Sequence, residues 1–362
     1  MTHKIVLTGG GTAGHVTPNL ALIEVLQKAG WQIDYVGSRD GVEKNMIEAI
    51  QIPYHSVNSG KLRRYFSWQT FLEPIRVSMG IFQSYRLFRK LKADVVFSKG
   101  GFVAFPVVVG AWLNRIPIVA HESDITPGLA NRLSLPFANK ICVTFAAAED
   151  HFKRKDKIKV TGTPIRKTLF QGNKERGLAL CGLDDKKPCI LVIGGSQGAN
   201  VLNACVRNTL DELCREFQII HLCGKGKVDL NIHREGYCQL EYAREELADL
   251  FAASELIVSR AGANSLYEIL ALGKPHVLIP LSKNASRGDQ IQNAQYFKQQ
   301  DISVVIEEEN LSPNQLLSSI HEVMANQDKI KAKITALNIQ SATDTIIAII
   351  QETLHAEPAK TV

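Results

Sequence analysis

The sequence lacks any pair of cysteines at the spacing of a metal site or a redox motif. Its seven cysteines are scattered, and an odd number is a poor basis for a disulfide framework, so we expect a reducing compartment. Long apolar runs are also absent, because the longest covers residues 102–113 and is interrupted by Pro106 and Gly110. Such a run is too short to span a bilayer. With no signal-peptide pattern at the amino terminus, we expect a soluble or peripheral protein.

Strong net charge is missing as well. The 362 residues carry a formal charge of only +6, so we expect no nucleic-acid partner. No acidic pair of the DxD type is placed to hold a divalent cation at a diphosphate, and we expect neither a metal nor a cofactor. Hydrophobic residues make up 45% of the chain, enough to fill the cores of two domains. A disordered or fibrous protein is thereby excluded.

A run of small residues at 259–268, Ser-Arg-Ala-Gly-Ala-Asn-Ser-Leu-Tyr-Glu, separates a predicted strand from a predicted helix. The helix is expected to begin near Ala263, where unpaired N–H groups and the positive end of the helix dipole suit an anionic group. Glu268 is suited to accept hydrogen bonds from the two vicinal hydroxyls of a ribose. Gln290 and Asn293 add amide groups for a sugar. The pattern indicates a nucleotide-sugar site, with an ordinary strand–helix loop as the alternative.

A second glycine-rich loop, residues 9–15, follows the first predicted strand. Gly9, Gly11 and Gly14 match the dinucleotide-binding fingerprint. The next strand ends at Arg39 and not at the acidic residue that binds the ribose of NAD. Only an NADP-dependent oxidoreductase therefore remains open on this pattern.

Predicted strands alternate with helices along the chain, which is typical of an α/β fold with parallel sheets. The strands are predicted at residues 4–8, 33–36, 94–98, 117–120, 140–144, 189–193, 218–222, 256–259, 276–280 and 303–306. Because a glycine-rich loop again follows the strand at 189–193, we expect two Rossmann-like domains whose parallel sheets face a central cleft. We place the domains at 1–165 and 166–340, with a linker at 166–187. Residues 341–362 should form a helix that packs back toward the first domain.

Residues 61–92 combine positive charge with aromatic side chains. They contain eight Lys or Arg and one acidic residue, Glu73. Such a segment is typical of a peripheral protein that binds anionic lipid headgroups. The alternative is a core helix whose aromatic side chains face inward and whose charges are solvated. The residues assigned to the membrane or to a lipid-borne acceptor are Lys61, Arg63, Arg64, Phe66, Trp68, Phe71, Ile75 and Phe82.

Seven loops, taken in order, resemble those of the MurG family, the peripheral membrane glycosyltransferases of peptidoglycan synthesis with a GT-B fold. The loops lie at residues 9–15, 98–102, 121–124, 162–166, 194–199, 259–268 and 289–294. The chain departs from the family pattern at Ala13, where many members have glycine. It departs again at Asp124, where many have asparagine, so an amide contact to the donor there stays open.

The resemblance implies an inverting transfer of N-acetylglucosamine from UDP-GlcNAc to the 4-hydroxyl of the muramoyl sugar of lipid I, giving lipid II. It implies the cytoplasmic face of the cell membrane as the location, and the cell-wall and division machinery as candidate partners. The second domain is then the main donor-binding domain, and the uracil is expected near Tyr242. The implied UDP-GlcNAc contacts are Thr12, Ala13, Gly14, Asp124, Arg166, Ser196, Gln197, Ala243, Ala263, Asn264, Ser265, Glu268 and Gln290.

His15 is the predicted catalytic base, because it closes the first glycine loop and histidine titrates near the working pH. Its alternative role is to cap the helix that follows. Glu122 is the second candidate base, and it too has helix capping as an alternative. Arg166 is suited to stabilise the departing UDP. The rival interpretations are a UDP-GlcNAc epimerase of the same architecture, which would not need the basic aromatic segment, and a non-catalytic nucleotide-binding protein.

Overall fold

The chain forms two compact units. The computed structural model describes residues 2–60, 73–152, 154–195, 198–283, 285–357 and 359. The first unit comprises Met1–Ile165 together with Ser341–Val362, and the second comprises Arg166–Gln340. Each unit contains one parallel sheet with helices, so the expected α/β class is confirmed.

The first unit contains a seven-stranded sheet in the order β3-β2-β1-β4-β5-β6-β7, and all neighbouring strands are parallel. Its strands are β1 (Lys4–Thr8), β2 (Gln32–Gly37), β3 (Tyr54–Ser56), β4 (Val95–Ser98), β5 (Ile118–Glu122), β6 (Lys140–Val143) and β7 (Ile158–Val160). Its first five helices are α1 (Thr17–Lys28), α2 (Val42–Glu48), α3 (Glu73–Leu91), α4 (Ala104–Leu113) and α5 (Leu129–Ser134). The strand order reverses between β1 and β4, and ligands of open parallel sheets bind at such a point.

The central strands of this sheet are largely apolar on both faces because helices cover both. On one face, Ile5 of β1 belongs to a buried cluster with Leu22 of α1. On the other, the next residue, Val6, belongs to a second cluster with Phe88 of α3 and Val108 of α4. Successive strand residues point to opposite faces, so covering both faces requires a continuous apolar run.

The second unit contains a six-stranded parallel sheet in the order β10-β9-β8-β11-β12-β13. Its strands are β8 (Cys189–Ile193), β9 (Gln218–Leu222), β10 (Tyr237–Leu240), β11 (Leu256–Ser259), β12 (His276–Leu278) and β13 (Val304–Val305). Its helices are α6 (Lys174–Leu180), α7 (Asn200–Asn208), α8 (Leu210–Glu216), α9 (Leu247–Ala253), α10 (Ala263–Ala271), α11 (Asp289–Lys298), α12 (Pro313–Ala325) and α13 (Gln327–Ala336). Here the order reverses between β8 and β11.

The prediction of a linker at 166–187 is wrong. Residues of that segment form α6, whose amino terminus is capped by the Asn173 side chain. A Cβ on Gly177 would overlap the Asp249 carbonyl oxygen, so α6 and α9 pack backbone against backbone. Arg176 also forms an ion pair with Asp249, with 2.7 Å between Nη2 and Oδ1. Lys174, Glu175 and Arg176 of this segment therefore lie on a helix that is packed into the second unit.

A last helix, α14 (Thr343–Thr353), is part of the first unit. The Ser341 hydroxyl hydrogen-bonds with both the N–H and the carbonyl of Ile165, each at 3.0 Å. Ile346 and Ile350 are fully buried in the cluster that contains Ile5. The final helix therefore completes the core of the first sheet.

Candidate active site

The loop after β1 holds His15 at the end of a short 3₁₀ turn, Ala13–His15. The Thr12 hydroxyl lies 3.0 Å from His15 Nδ1, and the His15 N–H donates to the Thr12 carbonyl at 3.1 Å. Thr12 is exposed, whereas Ala13, Gly14 and His15 are half-buried. Val16 occupies the N-cap of α1, and no described side chain caps that helix, so a capping role for His15 is not seen.

The same glycine loop is packed against a buried carboxylate. Glu43 is fully buried, and its Oε2 accepts a hydrogen bond from the Gly11 N–H at 3.2 Å. Its Oε1 accepts from the N–H of Ser38 at 3.0 Å. A dinucleotide pyrophosphate needs the loop N–H groups for itself, and a carboxylate beside it would repel it. The glycine fingerprint is therefore built for close packing in this chain, which disfavours the NADP-dependent oxidoreductase.

Glu122, the second candidate base, organises the loop after β5. Its carboxylate accepts hydrogen bonds from the N–H of Asp124 at 3.0 Å, the N–H of Gly128 at 3.2 Å and the Asn131 side chain at 2.8 Å. The side chain is 4% exposed, and burial raises the pKa of its carboxyl despite these hydrogen bonds. These hydrogen bonds give Glu122 a role in organising the loop. Which of His15 and Glu122 serves as the base stays a prediction.

A buried lysine joins the loops that follow β4, β5 and β7. The Lys99 ammonium contacts His121 Nδ1 at 2.7 Å and Thr163 Oγ1 at 3.4 Å, and it also donates to the Ser123 hydroxyl. His121 Nε2 lies 2.8 Å from the Gly162 carbonyl oxygen. Burial lowers the pKa of Lys99 to about 7 and lowers that of His121 well below its usual value. His121 is therefore neutral, with Nε2–H donating to Gly162 and Nδ1 accepting from Lys99.

In the second unit, α10 begins at Ala263 as the sequence predicts. Gly262 is the N-cap in an extended conformation, and no described side chain caps the helix. Ala263 is buried, and Asn264 and Ser265 are half-buried. The start of α10, with its backbone N–H groups and the positive end of the helix dipole, is a place where a phosphate can bind.

Glu268 lies one turn further along α10, near Arg166. Burial raises the pKa of Glu268 to about 7, and the positive charge of Arg166 partly offsets that rise. A carboxyl at this place can accept hydrogen bonds from two ribose hydroxyls, and Arg166 can bind an anionic leaving group. The positive charge of Arg166 thus acts on the Glu268 carboxyl.

Gln290, on α11, also reaches the start of α10. Its Nε2 atom lies 3.9 Å from the place that a Cβ on Gly262 would take. The neighbouring amide of Asn293 is fully buried and donates to the Ala261 carbonyl at 3.2 Å. Of the two amides that the sequence pattern offered for a sugar, Asn293 instead holds the loop before α10, and Gln290 is the one near the helix start.

The remaining predicted site residues divide into two groups. Asp124 is half-buried after β5, and Ala243 is half-buried in the loop after β10, next to the exposed Tyr242 ring that Arg244 covers at 5.5 Å. The other group lies outside the described residues and comprises Lys61, Arg63, Arg64, Phe66, Trp68, Phe71, Ser196 and Gln197.

The described part of the basic aromatic segment, α3, exposes an apolar stripe. Ile75, Met79 and Phe82 are 57%, 49% and 59% exposed and are spaced along one helix face. Arg86 lies over the Phe82 ring at 5.7 Å. On its other face, α3 packs closely through Gly80, since a Cβ there would overlap the Asn58 carbonyl oxygen. This part of the segment is not a core helix with all its aromatic side chains facing inward.

Neither a metal cluster nor a membrane-spanning helix is found within the described ranges. No group of three or more His, Cys, Asp or Glu side chains there is placed to hold a metal ion. None of the described helices combines the length and the apolarity that crossing a bilayer requires.

Two family models match the chain, one in each half. Residues 5–143 match the glycosyltransferase family 28 N-terminal domain, and residues 189–348 match the glycosyltransferase family 28 C-terminal domain. Together these matches cover most of the sequence.

Named relatives match over all or nearly all of the chain. The UDP-N-acetylglucosamine–N-acetylmuramyl-(pentapeptide) pyrophosphoryl-undecaprenol N-acetylglucosamine transferase of Legionella pneumophila strain Paris is 63% identical and is covered in full, as is this chain. The enzyme of the same name from Clostridium tetani is 49% identical over 97% of this chain and 98% of its own length.

Solved structures match both units. The crystal structure of Acinetobacter baumannii MurG superposes with a TM-score of 0.74 at 25% identity, covering 97% of this chain and 99% of that one. A Listeria monocytogenes structure described as a UDP-N-acetylglucosamine 2-epimerase superposes with a TM-score of 0.69 over 97% of this chain and 96% of that one. Its 13% identity shows a shared fold only.

Proposed function

The chain belongs to glycosyltransferase family 28, and we propose from this that it transfers N-acetylglucosamine from UDP-GlcNAc to the muramoyl 4-hydroxyl of lipid I, giving lipid II. The observation that carries the proposal is the 63% identity, over the full length of both chains, to a relative named for that reaction. The structure supports the donor class independently, because α10, Glu268, Arg166 and Gln290 supply groups for a phosphate, a ribose and a sugar.

The second unit is proposed to hold UDP-GlcNAc. The N–H groups at Ala263–Ser265, at the start of α10, face the diphosphate, Glu268 accepts from the ribose hydroxyls, and Gln290 contacts the sugar. Ala243 takes the uracil through its backbone, and Ser196 and Gln197 in the glycine loop after β8 complete the donor contacts. Arg166 stabilises the negative charge that develops on the departing UDP.

The first unit is proposed to activate the acceptor. His15 takes the proton of the muramoyl 4-hydroxyl, whose oxygen then forms a bond to the anomeric carbon of the donor. The bond between that carbon and the diphosphate oxygen breaks, and UDP leaves with the electron pair. Attack opposite the leaving group inverts the anomeric configuration. In this proposal His15 Nδ1–H donates to the Thr12 hydroxyl, and Nε2 is then the nitrogen that receives the proton.

The exposed stripe of α3 supports a peripheral association with anionic lipid at the cytoplasmic face of the membrane. Ile75 and Phe82 insert into the interface, and Arg76 and Arg86 approach the headgroups. Lys61, Arg63, Arg64, Phe66, Trp68 and Phe71 extend the same surface in this proposal. The lipid-borne acceptor is then held close to the first unit, and the cell-wall and division machinery are proposed as further partners.

The proposal is tested by incubating the protein with labelled UDP-GlcNAc and a lipid I analogue. We expect label in the lipid fraction and one UDP released for each sugar transferred. A reaction without the analogue is the control for donor hydrolysis. Release of UDP with no label in the lipid would instead favour an epimerase, whose fold the chain shares.

A further inference from the structure

An ion pair in the second unit fixes the loop that follows β12. Arg260, at the end of β11, is 8% exposed, and its Nη1 donates to the carbonyl oxygens of Ile279 at 3.0 Å and Pro280 at 3.4 Å. Its Nη2 donates to the Glu308 carboxylate. The other oxygen of that carboxylate accepts from the Ser282 N–H at 3.2 Å. The pair thus binds the same loop from two sides.

The same loop fixes the amide of Gln290. The Leu281 N–H donates to Gln290 Oε1 at 3.1 Å. Ile279, Pro280, Leu281 and Ser282 therefore each have a backbone group bound by one of three side chains. Because a backbone N–H requires an acceptor, it is the amide oxygen and not the NH₂ group that faces the loop. The NH₂ group is consequently turned toward the start of α10.

We propose that Arg260 and Glu308 are positioning residues for the donor sugar, which orient Gln290 so that it donates an N–H to an acceptor oxygen of the sugar. The inference rests on the proposed UDP-GlcNAc site. It adds a direction to the contact, since Gln290 can then act only as a donor, and it adds two residues that contact no substrate themselves.

The electrostatics of the pair suit a positioning role. Burial alone would raise the pKa of Glu308, but the hydrogen bonds from Arg260 and Ser282 outweigh it and hold the pKa below its usual value. A buried ion pair is a weak source of net stability, because removing two charges from water costs nearly as much as their attraction returns. Its benefit here is geometric, because one planar guanidinium reaches two carbonyls and a carboxylate together.

The test compares Glu308→Gln and Arg260→Lys with Lys333→Gln. The control removes a more exposed pair of the same unit, in which Lys333 Nζ lies 3.0 Å from Asp301. We expect Glu308→Gln and Arg260→Lys to raise the KM for UDP-GlcNAc about tenfold with kcat nearly unchanged, because a ground-state contact is lost. The Kd for UDP, measured by calorimetry, should change less than twofold because UDP lacks the sugar.

A double-mutant cycle separates positioning from a general loss of structure. If Glu308 acts through Gln290, then Glu308→Gln should not raise the KM for UDP-GlcNAc any further in a Gln290→Ala background. Gln290→Glu should lose as much UDP-GlcNAc affinity as Gln290→Ala, since a carboxylate accepts from Leu281 but has no N–H to donate. The Kd for UDP reports any charge repulsion from the new carboxylate separately.

Three results would overturn the inference. The first is an unchanged KM for UDP-GlcNAc in Glu308→Gln, and the second is a double variant in which the two fold-increases in KM multiply. The third is a Gln290→Glu variant that binds UDP-GlcNAc as tightly as the wild type. Should Glu308→Gln fail to fold, the Gln290→Glu comparison still decides the orientation of the amide. Failure of the wild-type protein to bind UDP-GlcNAc would count against the proposed function instead, so the two failures are distinguishable.

Discussion

At the scale of single residues, His15 carries the strongest chemical prediction. His15→Ala should lower kcat by about a hundredfold or more if the imidazole is the general base, because proton transfer contributes that much to a rate. The KM for UDP-GlcNAc should change little. The measurement is steady-state transfer at saturating donor, with Thr12→Ala as a milder comparison that removes only the hydrogen bond to Nδ1. Near-normal turnover in His15→Ala would assign the base to another group.

A second residue-scale prediction concerns stability and pH. Burial raises the pKa of Glu268 from 4.5 to about 7, so the folded protein binds this proton more tightly than the unfolded chain. The carboxyl therefore lowers stability progressively as the pH rises through that interval, and the cost is complete above pH 7. We expect Glu268→Gln to stabilise the protein by about 1–2 kcal/mol at pH 8. This is less than the free energy equivalent to the whole pKa shift, because the side chain keeps some contact with water.

Urea unfolding at pH 8 and pH 5 is the measurement, and the gain should shrink at the lower pH. An equal increase in the free energy of unfolding at pH 8 and pH 5 would show that ionisation of the Glu268 carboxyl does not cause the stabilisation. A residue that costs stability while it serves a binding site is a recurrent pattern in enzymes.

The candidate site could be predicted from the sequence only where the chemistry of a residue and its position after a loop indicate a role. Glu268 and Gln290 stand at helical positions after recognisable loops, and the start of α10 at Ala263 follows from the small residues before it. Glu43 gave no such signal, since nothing in its local sequence shows that it reaches back to Gly11. The contact of Arg260 with Glu308 could not be predicted either, because the two residues are 48 positions apart.

At the scale of elements, α3 exposes the apolar side chains of Ile75, Met79 and Phe82 on one face. We expect the protein to bind vesicles containing phosphatidylglycerol, and we expect Ile75→Ser with Phe82→Ser to weaken that binding about tenfold or more, because two apolar side chains no longer insert. Sedimentation with vesicles is the measurement, and added salt should weaken the wild-type binding.

The matched control for α3 is Leu180→Ser, which removes an apolar side chain that is 50% exposed on the second unit. It should bind vesicles as the wild type does. Equal losses in the control and in the α3 variant, or binding that is insensitive to salt, would indicate that the stripe serves another purpose.

Strands with a continuous apolar run were predictable, and three of the edge strands were not. The predictions at 189–193 and 218–222 coincide with β8 and β9. In contrast, β3, β7 and β10 are edge strands of three or four residues. Such strands are covered less completely than central ones, so their sequences show no continuous apolar run. Their formation depends on pairing with a neighbouring strand that lies far away in the sequence.

At the scale of the whole molecule, the two units should respond separately to core substitutions. Ile346, on α14, is fully buried in the core of the first unit. The substitution Ile346→Ala should therefore destabilise that unit by about 3 kcal/mol. Leu316→Ala, on α12, is the matched change in the second unit. Hydrogen exchange resolved by peptide is the measurement, with Ile346→Ala expected to reduce protection in β1 and β4 and not in β8.

A uniform loss of protection across both sheets in either variant would show that the chain unfolds as one cooperative system. The separate response follows from the contact pattern, which divides the chain at Ile165 and again at Gln340. Each sheet has its own apolar clusters and its own point of strand-order reversal, so each unit contains what a domain needs for its own stability.

The return of α14 to the first sheet has a consequence for synthesis on the ribosome. Residues 166–340 form an uninterrupted segment, so the second unit can mature as soon as that stretch has left the exit tunnel. The first unit emerges earlier, yet the apolar surface that Ile346 and Ile350 later cover stays bare until α14 has been translated, after the second unit. The first unit therefore begins to form before the second unit but completes its core after it. During that interval its exposed apolar surface is where chaperones would bind.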